Sequence, residues 1–395
     1  MAATFATVTD VAAQATEVPV AVVAPLSGPW ARAGQMMRQG AELAVDDINA
    51  SGGIKSMGGA KLRLIVADAG DTPEKARNAA QRLQSEHPQL AGGIGAWLSS
   101  FTLAITEITE RAGIPWLANS FSDQLTDRGF RYVFQTGPTG TRLAQVSLPT
   151  VVEMATSAFG KAPQSIGVIT ENTAAPLSIL KSMREGGFAR HGLKVSLDEV
   201  YTPPLSDATS LVQKVRASRP DLLLMFATGI QDNKLLIEKL NEFGLGKGRM
   251  PVVVLGAQAA SPEFLRLIGK DLTEGVMALF AVWPTKEHAE LVDRFKARFK
   301  EPWMSQDPMW TYGDVWLLKD AIEIAGSGDR ERVAAALRTM DLGKGAAAYY
   351  TGRRVRFDDK GRRLDAGAVI IQWQDGLPVL VYPPDQAVAK ARWQR

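Results

Sequence analysis

The feature that most constrains the fold is a repeated alternation of short apolar runs with helical segments. The first run, 18–25, consists almost entirely of β-branched and small apolar residues, which is typical of a strand buried on both faces of a parallel sheet. A helical pattern follows it, and the same succession recurs through 62–67, 92–95 and 114–118. Strands that alternate with helices at this spacing predict βαβ units.

A second series of the same kind begins after Gly137. Apolar runs at 165–170, 221–227 and 251–256 each end in a loop, and helical segments lie between them. The sequence therefore predicts two doubly wound α/β units of similar size. Ligands of open α/β sheets bind at the carboxyl ends of the strands, so the loops after these runs form the candidate site.

The stretch 92–101 contains the most suggestive of these loops. A glycine-flanked apolar run gives way to Ser99 and Ser100, and a helical pattern starts directly after them. A serine at the N-cap satisfies free amides of the first helical turn, and those amides with the helix dipole also attract anions. Trp97 offers a flat apolar surface nearby. Either a ligand carboxylate binds here, or the serine only caps and the tryptophan only packs.

Composition excludes several classes of function. The 395 residues include no cysteine and three histidines, which argues against thiolate metal sites, a cysteine nucleophile and a histidine-based triad. A net charge of +3 gives no sign of nucleic-acid binding. No apolar run reaches the roughly 18 residues of a membrane-spanning helix. Phosphate-binding glycine motifs and a nucleophile elbow are also missing from the sequence. We therefore predict a protein that is not an enzyme and needs neither cofactor nor metal.

The N-terminal segment 1–17 has no lysine or arginine, and its 13–15 tripeptide, Ala-Gln-Ala, is similar to a signal cleavage site. We interpret this segment as the remnant of a trimmed signal peptide or as an added tail. The hypothesis implies export to the periplasm.

Several of these segments, taken in their order along the chain, resemble the sequence pattern of a known family. Its marks are the turn 22–29, the helical segment 40–49, the loop 92–100 and the strand 113–115. Over 18–382 the chain resembles type I periplasmic solute-binding proteins of the leucine/isoleucine/valine-binding group. The resemblance implies an α/β fold of two doubly wound parallel-sheet lobes, joined by a three-crossover hinge, that close on a solute.

The resemblance also implies partners and lobe limits. A monomeric binding protein would pass a small-molecule carboxylate to an ABC permease in the inner membrane. The first lobe would comprise 18–137 plus 283–357, and the second lobe 138–282 plus 358–395. A receptor or sensor domain of the same fold is a less favoured role.

Site residues follow from the same resemblance. Ser99, Ser120 and Ser122 match the positions that bind the ligand carboxylate. The position of the acid that pairs with an α-ammonium falls on Gln258, which has no charge. The residues expected to line the ligand body are Trp30, Trp97, Phe101, Ala175, Gly229, Ile230, Gln258 and Trp283.

Two ligand classes stay open. One is a branched or aromatic α-amino acid, with its ammonium on Gln258, on carbonyl groups or on another acid such as Asp232. The other is an aromatic carboxylate without an amino group, of benzoate, benzoylformate or cinnamate type. The second class is preferred, because a buried ammonium without a counter-charge is costly.

Overall fold

A computed structural model describes residues 16–393. Residues 1–15, where most of the hypothetical signal remnant falls, lie outside the described residues. The strands are β1 (Glu17–Ala24), β2 (Lys61–Asp68), β3 (Gly92–Gly95), β4 (Trp116–Ala118), β5 (Val133–Gln135), β6 (Ser165–Glu171), β7 (Lys194–Tyr201), β8 (Leu222–Phe226), β9 (Val252–Leu255), β10 (Met277–Phe280), β11 (Val369–Gln374) and β12 (Leu377–Tyr382).

The helices alternate with these strands in both halves of the chain. They are α1 (Ala31–Ala50), α2 (Pro73–Glu86), α3 (Ser99–Arg111), α4 (Gln124–Asp127), α5 (Gly140–Phe159), α6 (Ala174–Ser182), α7 (Phe188–Arg190), α8 (Thr209–Ser218), α9 (Ile230–Glu242), α10 (Pro262–Ile268), α11 (Lys270–Thr273), α12 (Ala289–Phe299), α13 (Gln306–Ala325) and α14 (Arg330–Thr339).

Two separate sheets organise the molecule. The first has the strand order β2-β1-β3-β4-β5, and all of its pairings are parallel. The second has the order β12-β11-β10-β9-β8-β6-β7, and only the β10-β11 and β11-β12 pairings are antiparallel. Parallel pairing requires helical crossovers on the sheet faces, which explains why the central strands are almost wholly apolar. The predicted fold class of two α/β lobes is confirmed.

The chain returns to the first lobe after the second sheet is nearly complete. Phe295 of α12, Trp310 of α13 and Val333 of α14 are buried in the same core as Val20 and Val22 of β1. These three helices therefore complete the first lobe. The helix α13 begins at Gln306, and its whole first turn is buried.

The C-terminal strands re-enter the second sheet. β11 and β12 form a hairpin, and its turn residues Asp375 and Gly376 have φ values of 56° and 81°. Positive φ at both positions matches the tight turns of hairpins. Before this hairpin, the N–H of Gln135 donates to the carbonyl of Gly361 at 2.7 Å. The segment up to Arg363 thus stays beside β5, although the sequence placed 358–395 in the second lobe.

Candidate functional site

A cavity of about 220 Å³ lies between the two lobes, among loops that follow the carboxyl ends of the strands. The lobes touch beside it, since a Cβ added to Gly229 would lie 3.7 Å from the Trp30 ring. The volume suits a small solute, because pockets for drug-sized ligands measure roughly 300–1,000 Å³. We call it the interlobe cavity, and its lining residues are Trp30, Trp97, Leu98, Ser99, Ser100, Phe101, Asn119, Phe121, Glu171, Thr173, Ala174, Ala175, Pro203, Thr228, Leu255, Gly256, Gln306, Asp307 and Trp310.

Ser99 lines the cavity as the first residue of α3. The N-cap is Leu98, which makes no side-chain cap, so the predicted capping role of Ser99 or Ser100 is wrong. The Oγ of Ser99 instead accepts a hydrogen bond from the N–H of Ser122 at 3.2 Å. Within residues 16–393 its own O–H has no protein acceptor, so this hydroxyl can donate to a ligand.

The backbone at the start of α3 adds further donors. The N–H groups of Phe101 and Thr102 donate to the carbonyl of Leu98, at 3.1 and 2.9 Å. In the described part of the chain the N–H groups of Ser99 and Ser100 have no protein acceptor. Free amides at a helix N-terminus attract anions, and here they accompany a hydroxyl donor.

Ser120 and Ser122 lie behind Ser99, not in the cavity wall. Both are buried, and neither lines the cavity. The hydroxyls of Ser120 and Thr102 share a hydrogen bond of 2.7 Å, and the Ser120 carbonyl accepts from Gln135 Nε2 at 2.7 Å. These two serines hold the loop that supports Ser99, and their predicted contact with a ligand carboxylate stays a prediction that their position outside the lining does not support.

Trp97 forms one side of the cavity, and several bonds fix its position. Its φ of 68° is unusual for a residue other than glycine. The Trp97 N–H donates to Asn119 Oδ1 at 3.3 Å, and the indole Nε1 donates to Asp307 Oδ1 at 3.1 Å. The Trp30 ring packs on the Trp97 ring, with centroids 5.4 Å apart.

Further aromatic rings enlarge this apolar surface. Phe121 and Trp310 pack with ring centroids 5.5 Å apart, and Trp310 Nε1 donates to Thr136 Oγ at 2.8 Å. Phe101, one of the predicted residues, also lines the cavity. A ligand body with a flat or branched apolar shape would find a rigid aromatic surface here.

Of the other predicted lining residues, some lie at the cavity and the others lie in the hydrophobic core of the second lobe. Ala175 lines the cavity, whereas Gly229 lies beside it against Trp30. Trp283 stacks on Phe280 at 5.5 Å, and Ile230 belongs to the same core. Gln258 is buried outside the lining, and its Nε2 has no partner among the described residues.

Glu171 is a cavity residue that the sequence analysis did not select. It ends β6 and is 1% exposed. Its Oε1 accepts from the hydroxyls of Thr173 and Thr228, each at 2.5 Å, and its Oε2 accepts from the N–H of Thr228 at 2.9 Å. Burial raises the pKa of the Glu171 carboxyl, although these hydrogen bonds act in the opposite direction.

Asp307 is the second acid of the cavity that was missed. It lies in the first turn of α13, where helix geometry favours a carboxylate, and it is 5% exposed. Burial raises the pKa of Asp307 to about 7, while the hydrogen bond from Trp97 favours the ionised form. An acidic residue after a buried strand could have indicated Glu171. Nothing near Asp307 in the sequence distinguishes it from an ordinary acid at a helix start.

The cavity-lining residues include no lysine, arginine or histidine. The described residues also contain no group of histidine, aspartate and glutamate side chains placed to hold a metal ion. Among them, no helix has both the length and the apolar character needed to cross a membrane. The arrangement can bind a small molecule through hydrogen bonds, charge and apolar contact.

Comparison with known proteins gives consistent results. A sequence model for periplasmic binding proteins matches residues 17–377. The Leu/Ile/Val-binding protein homolog 8 of Brucella melitensis is 30% identical over 386 residues, which cover 94% of this chain and 92% of the relative.

Two solved structures illustrate the structural likeness. LivJ of Streptococcus pneumoniae, a branched-chain amino acid transporter substrate binding protein in complex with isoleucine, aligns with a TM-score of 0.77, at 19% identity, over 92% of this chain and 99% of that chain. A solute binding protein of an ABC transporter from Rhodopseudomonas palustris, in complex with 3,4-dihydroxybenzoic acid, gives a TM-score of 0.73 at 18% identity, over 92% and 95%.

Proteins of this family are not enzymes, and they bind small molecules and work with ABC permeases. A periplasmic location is consistent with the family, whereas the trimmed signal peptide stays a prediction. The match over most of the chain shows that this protein belongs to the periplasmic binding protein family, as the solute-binding component of an ABC transporter.

Proposed function

We propose that the chain captures a small carboxylate with an apolar body in the interlobe cavity and delivers it to its permease. The observation that carries this proposal is the start of α3, where the Ser99 hydroxyl and two free N–H groups meet a largely aromatic cavity. Hydrogen bonds from such donors to a carboxylate are charge-assisted and therefore stronger than neutral ones. The rings of Trp30 and Trp97 would hold the apolar body.

Closure of the lobes would depend on this ligand. Ser99 lies in the first lobe, whereas Thr173 and Thr228 line the cavity from the second. A solute that contacts both walls stabilises the closed arrangement by its additional interactions there. We place the first lobe at 18–137 plus 283–363 and the second at 138–282 plus 364–395, which moves only the third crossover.

Two ligand classes satisfy this proposal. An aromatic monocarboxylate is supported by the aromatic wall, and the Rhodopseudomonas palustris structure contains an acid of this class. An apolar α-amino acid is supported by the Streptococcus pneumoniae structure with isoleucine and by the name of the Brucella relative.

Thermal shift and calorimetry with matched ligand pairs would test the proposal. Each pair consists of a carboxylate and its uncharged amide, such as benzoate with benzamide, cinnamate with cinnamamide and leucine with leucinamide. A bound ligand raises the melting temperature according to the ratio of its concentration to Kd. We expect the carboxylate of at least one pair to bind and its amide to bind far more weakly. Equal binding within every pair that binds would contradict a carboxylate anchor at α3.

The remaining expectations concern the state of the protein. A monomer stays a prediction, which light scattering with and without ligand would check. A role as a sensor domain would be favoured if the protein bound a receptor instead of a permease.

A further inference from the structure

The interlobe cavity contains two buried carboxylates and no cationic side chain among its lining residues. Glu171 belongs to the second lobe and Asp307 to the first, at 1% and 5% exposure. Buried charges are normally paired with an opposite charge, because removing an ion from water is costly. Neither acid forms an ion pair within the described residues.

The hydrogen bonds of Glu171 favour its ionised form, whereas its burial raises the pKa and leaves the carboxylate in need of a counter-charge. All three of its hydrogen bonds come from neutral donors, the hydroxyls of Thr173 and Thr228 and the N–H of Thr228. Three donors around one carboxyl stabilise the carboxylate and fix its orientation. A carboxylate offers about four acceptor positions, so one position of Oε2 is left. The protein thus fills all but one of the acceptor positions of the Glu171 carboxylate, but it supplies no positive charge.

Asp307 serves a different purpose. Its Oδ1 accepts from Trp97 Nε1 at 3.1 Å, so this acid fixes the indole that lines the cavity. It is a positioning residue for Trp97 and adds a second negative charge to the same space when it is ionised. Gln258, by contrast, is neutral and lies outside the cavity lining.

We propose that the solute carries a cationic nitrogen and that Glu171, on the loop after β6, supplies the counter-charge for it. This inference rests on the proposed function only in placing the ligand in the interlobe cavity. The ligand then has a cationic group toward the second lobe and an apolar body between the tryptophans. Of the two open classes, this selects the amino acid over the monocarboxylate.

Six compounds in two series would test the inference on the unmodified protein by calorimetry at pH 8. One series is phenylalanine, 2-phenylethylamine and 3-phenylpropanoate, and the other is leucine, 3-methylbutylamine and 4-methylpentanoate. Within each series the apolar body is shared, and the charged groups differ. In the series that fits, we expect the amino acid to bind at least about tenfold more tightly than either the amine or the acid, because each of these lacks one of the two charged groups.

The outcomes separate this inference from the proposed function. If the acid binds as tightly as the amino acid and the amine does not bind, the cationic nitrogen is excluded and the carboxylate anchor stands. If amine and amino acid bind equally, the nitrogen is supported and the anchor at Ser99 is contradicted. An absence of binding by all six compounds would count against both.

A pair of variants would then assign the nitrogen to its acid. Glu171→Gln keeps the size of the side chain and removes its charge, so the affinity for the amino acid should fall at least about tenfold, while that for the acid should not fall. Asp232→Asn tests the competing assignment, since Asp232 is a buried acid of the same lobe that the sequence analysis allows for the ammonium, although it does not line the cavity. Equal losses in the two variants, with circular dichroism showing both folded, would overturn the assignment to Glu171.

Discussion

The two walls of the interlobe cavity differ in the chemistry that they present. The first-lobe wall offers donors, the Ser99 hydroxyl and two free N–H groups at the start of α3, and its one acid, Asp307, accepts from Trp97. The second-lobe wall offers an acceptor, the Glu171 carboxylate, held by Thr173 and Thr228. A ligand with one negative and one positive end would match both walls only when they face each other. The difference therefore suggests why neither lobe alone would retain the solute.

The walls also differ in how much of their chemistry depends on single side chains. Donors at α3 are partly backbone groups, which survive substitution of any one residue. The acceptor of the second wall is one side chain, and the aromatic surface depends on Trp97 and its bond to Asp307. Substitutions at Trp97 and Glu171 should therefore have larger effects than substitutions at Ser99.

The largest effect is expected for Trp97→Ala. This change removes a buried ring, leaves Asp307 without its indole donor and frees the Trp30 ring. Large-to-small changes of this kind cost about 3–5 kcal/mol in folding free energy. Urea unfolding and calorimetry should show this loss and no detectable ligand binding. Trp97→Phe is the control, because it keeps an aromatic ring of smaller area and loses the Nε1 donor. Unchanged binding in Trp97→Ala would remove the aromatic wall from the site.

The pH dependence of stability should show the cost of burying Asp307. Burial raises the pKa of Asp307 from 3.8 to about 7, so between these values the folded state keeps a proton that the unfolded state has lost. The contribution to stability is thus greatest below pH 4 and declines up to pH 7, by at most about 1.4 kcal/mol per pH unit. Chemical unfolding of Asp307→Asn across pH 4 to 8 should show a shallower decline than the unmodified protein. Equal slopes would contradict the raised pKa.

Ligand affinity should change with pH, and the direction of the change should depend on the charge of the ligand. Burial raises the pKa of both Glu171 and Asp307, and a cationic nitrogen binds best when these carboxyls are ionised. The affinity for an amino acid should therefore rise from pH 5 to pH 8. Below the pKa of the carboxyl, the rise should be about tenfold per pH unit for each proton released on binding. The affinity for a monocarboxylate would fall over the same range. Titrations at four pH values would distinguish the two ligand classes.

A smaller effect is expected for Ser99→Ala. The loss of one charge-assisted hydrogen bond should weaken carboxylate binding by about 1–3 kcal/mol, while the α3 amides still bind the ligand. Ser122→Ala is the matched control, since Ser122 contacts Ser99 through its backbone N–H, which alanine retains. Similar losses in both variants would show that the Ser99 hydroxyl does not bind the solute directly.

The smallest effect is expected for Gly229→Ala at the contact between the lobes. The added Cβ would lie 3.7 Å from the Trp30 ring, which is an ordinary van der Waals distance. Affinity and melting temperature should stay within experimental error, whereas Gly229→Leu should weaken binding by obstructing closure. A large loss in the alanine variant would indicate a closer approach of the lobes in the bound state.

Much of the fold could be predicted from the sequence because its signals are local. The strand 18–24, the Thr72 cap of α2 and the turn at Asp375–Gly376 each depend on residues within a few positions. Local sequence signals did not predict where a helix is interrupted. The sequence from about 175 to 190 has a helical pattern throughout, but the helix is broken at 183–187, where Gly186 has a φ of 95°.

The sequence by itself determined the strand-and-helix order, the two-lobed α/β class and the position of Ser99 between a buried strand and the helix that follows it. Only the tertiary structure decided which side chains share the cavity. Trp97 and Asp307 are 210 positions apart and bond to each other only because α13 returns to the first lobe. Glu171 became notable only when burial between two lobes removed its water and left its charge without a partner. Desolvation and charge pairing depend on every neighbour in space, and a linear pattern does not contain that information.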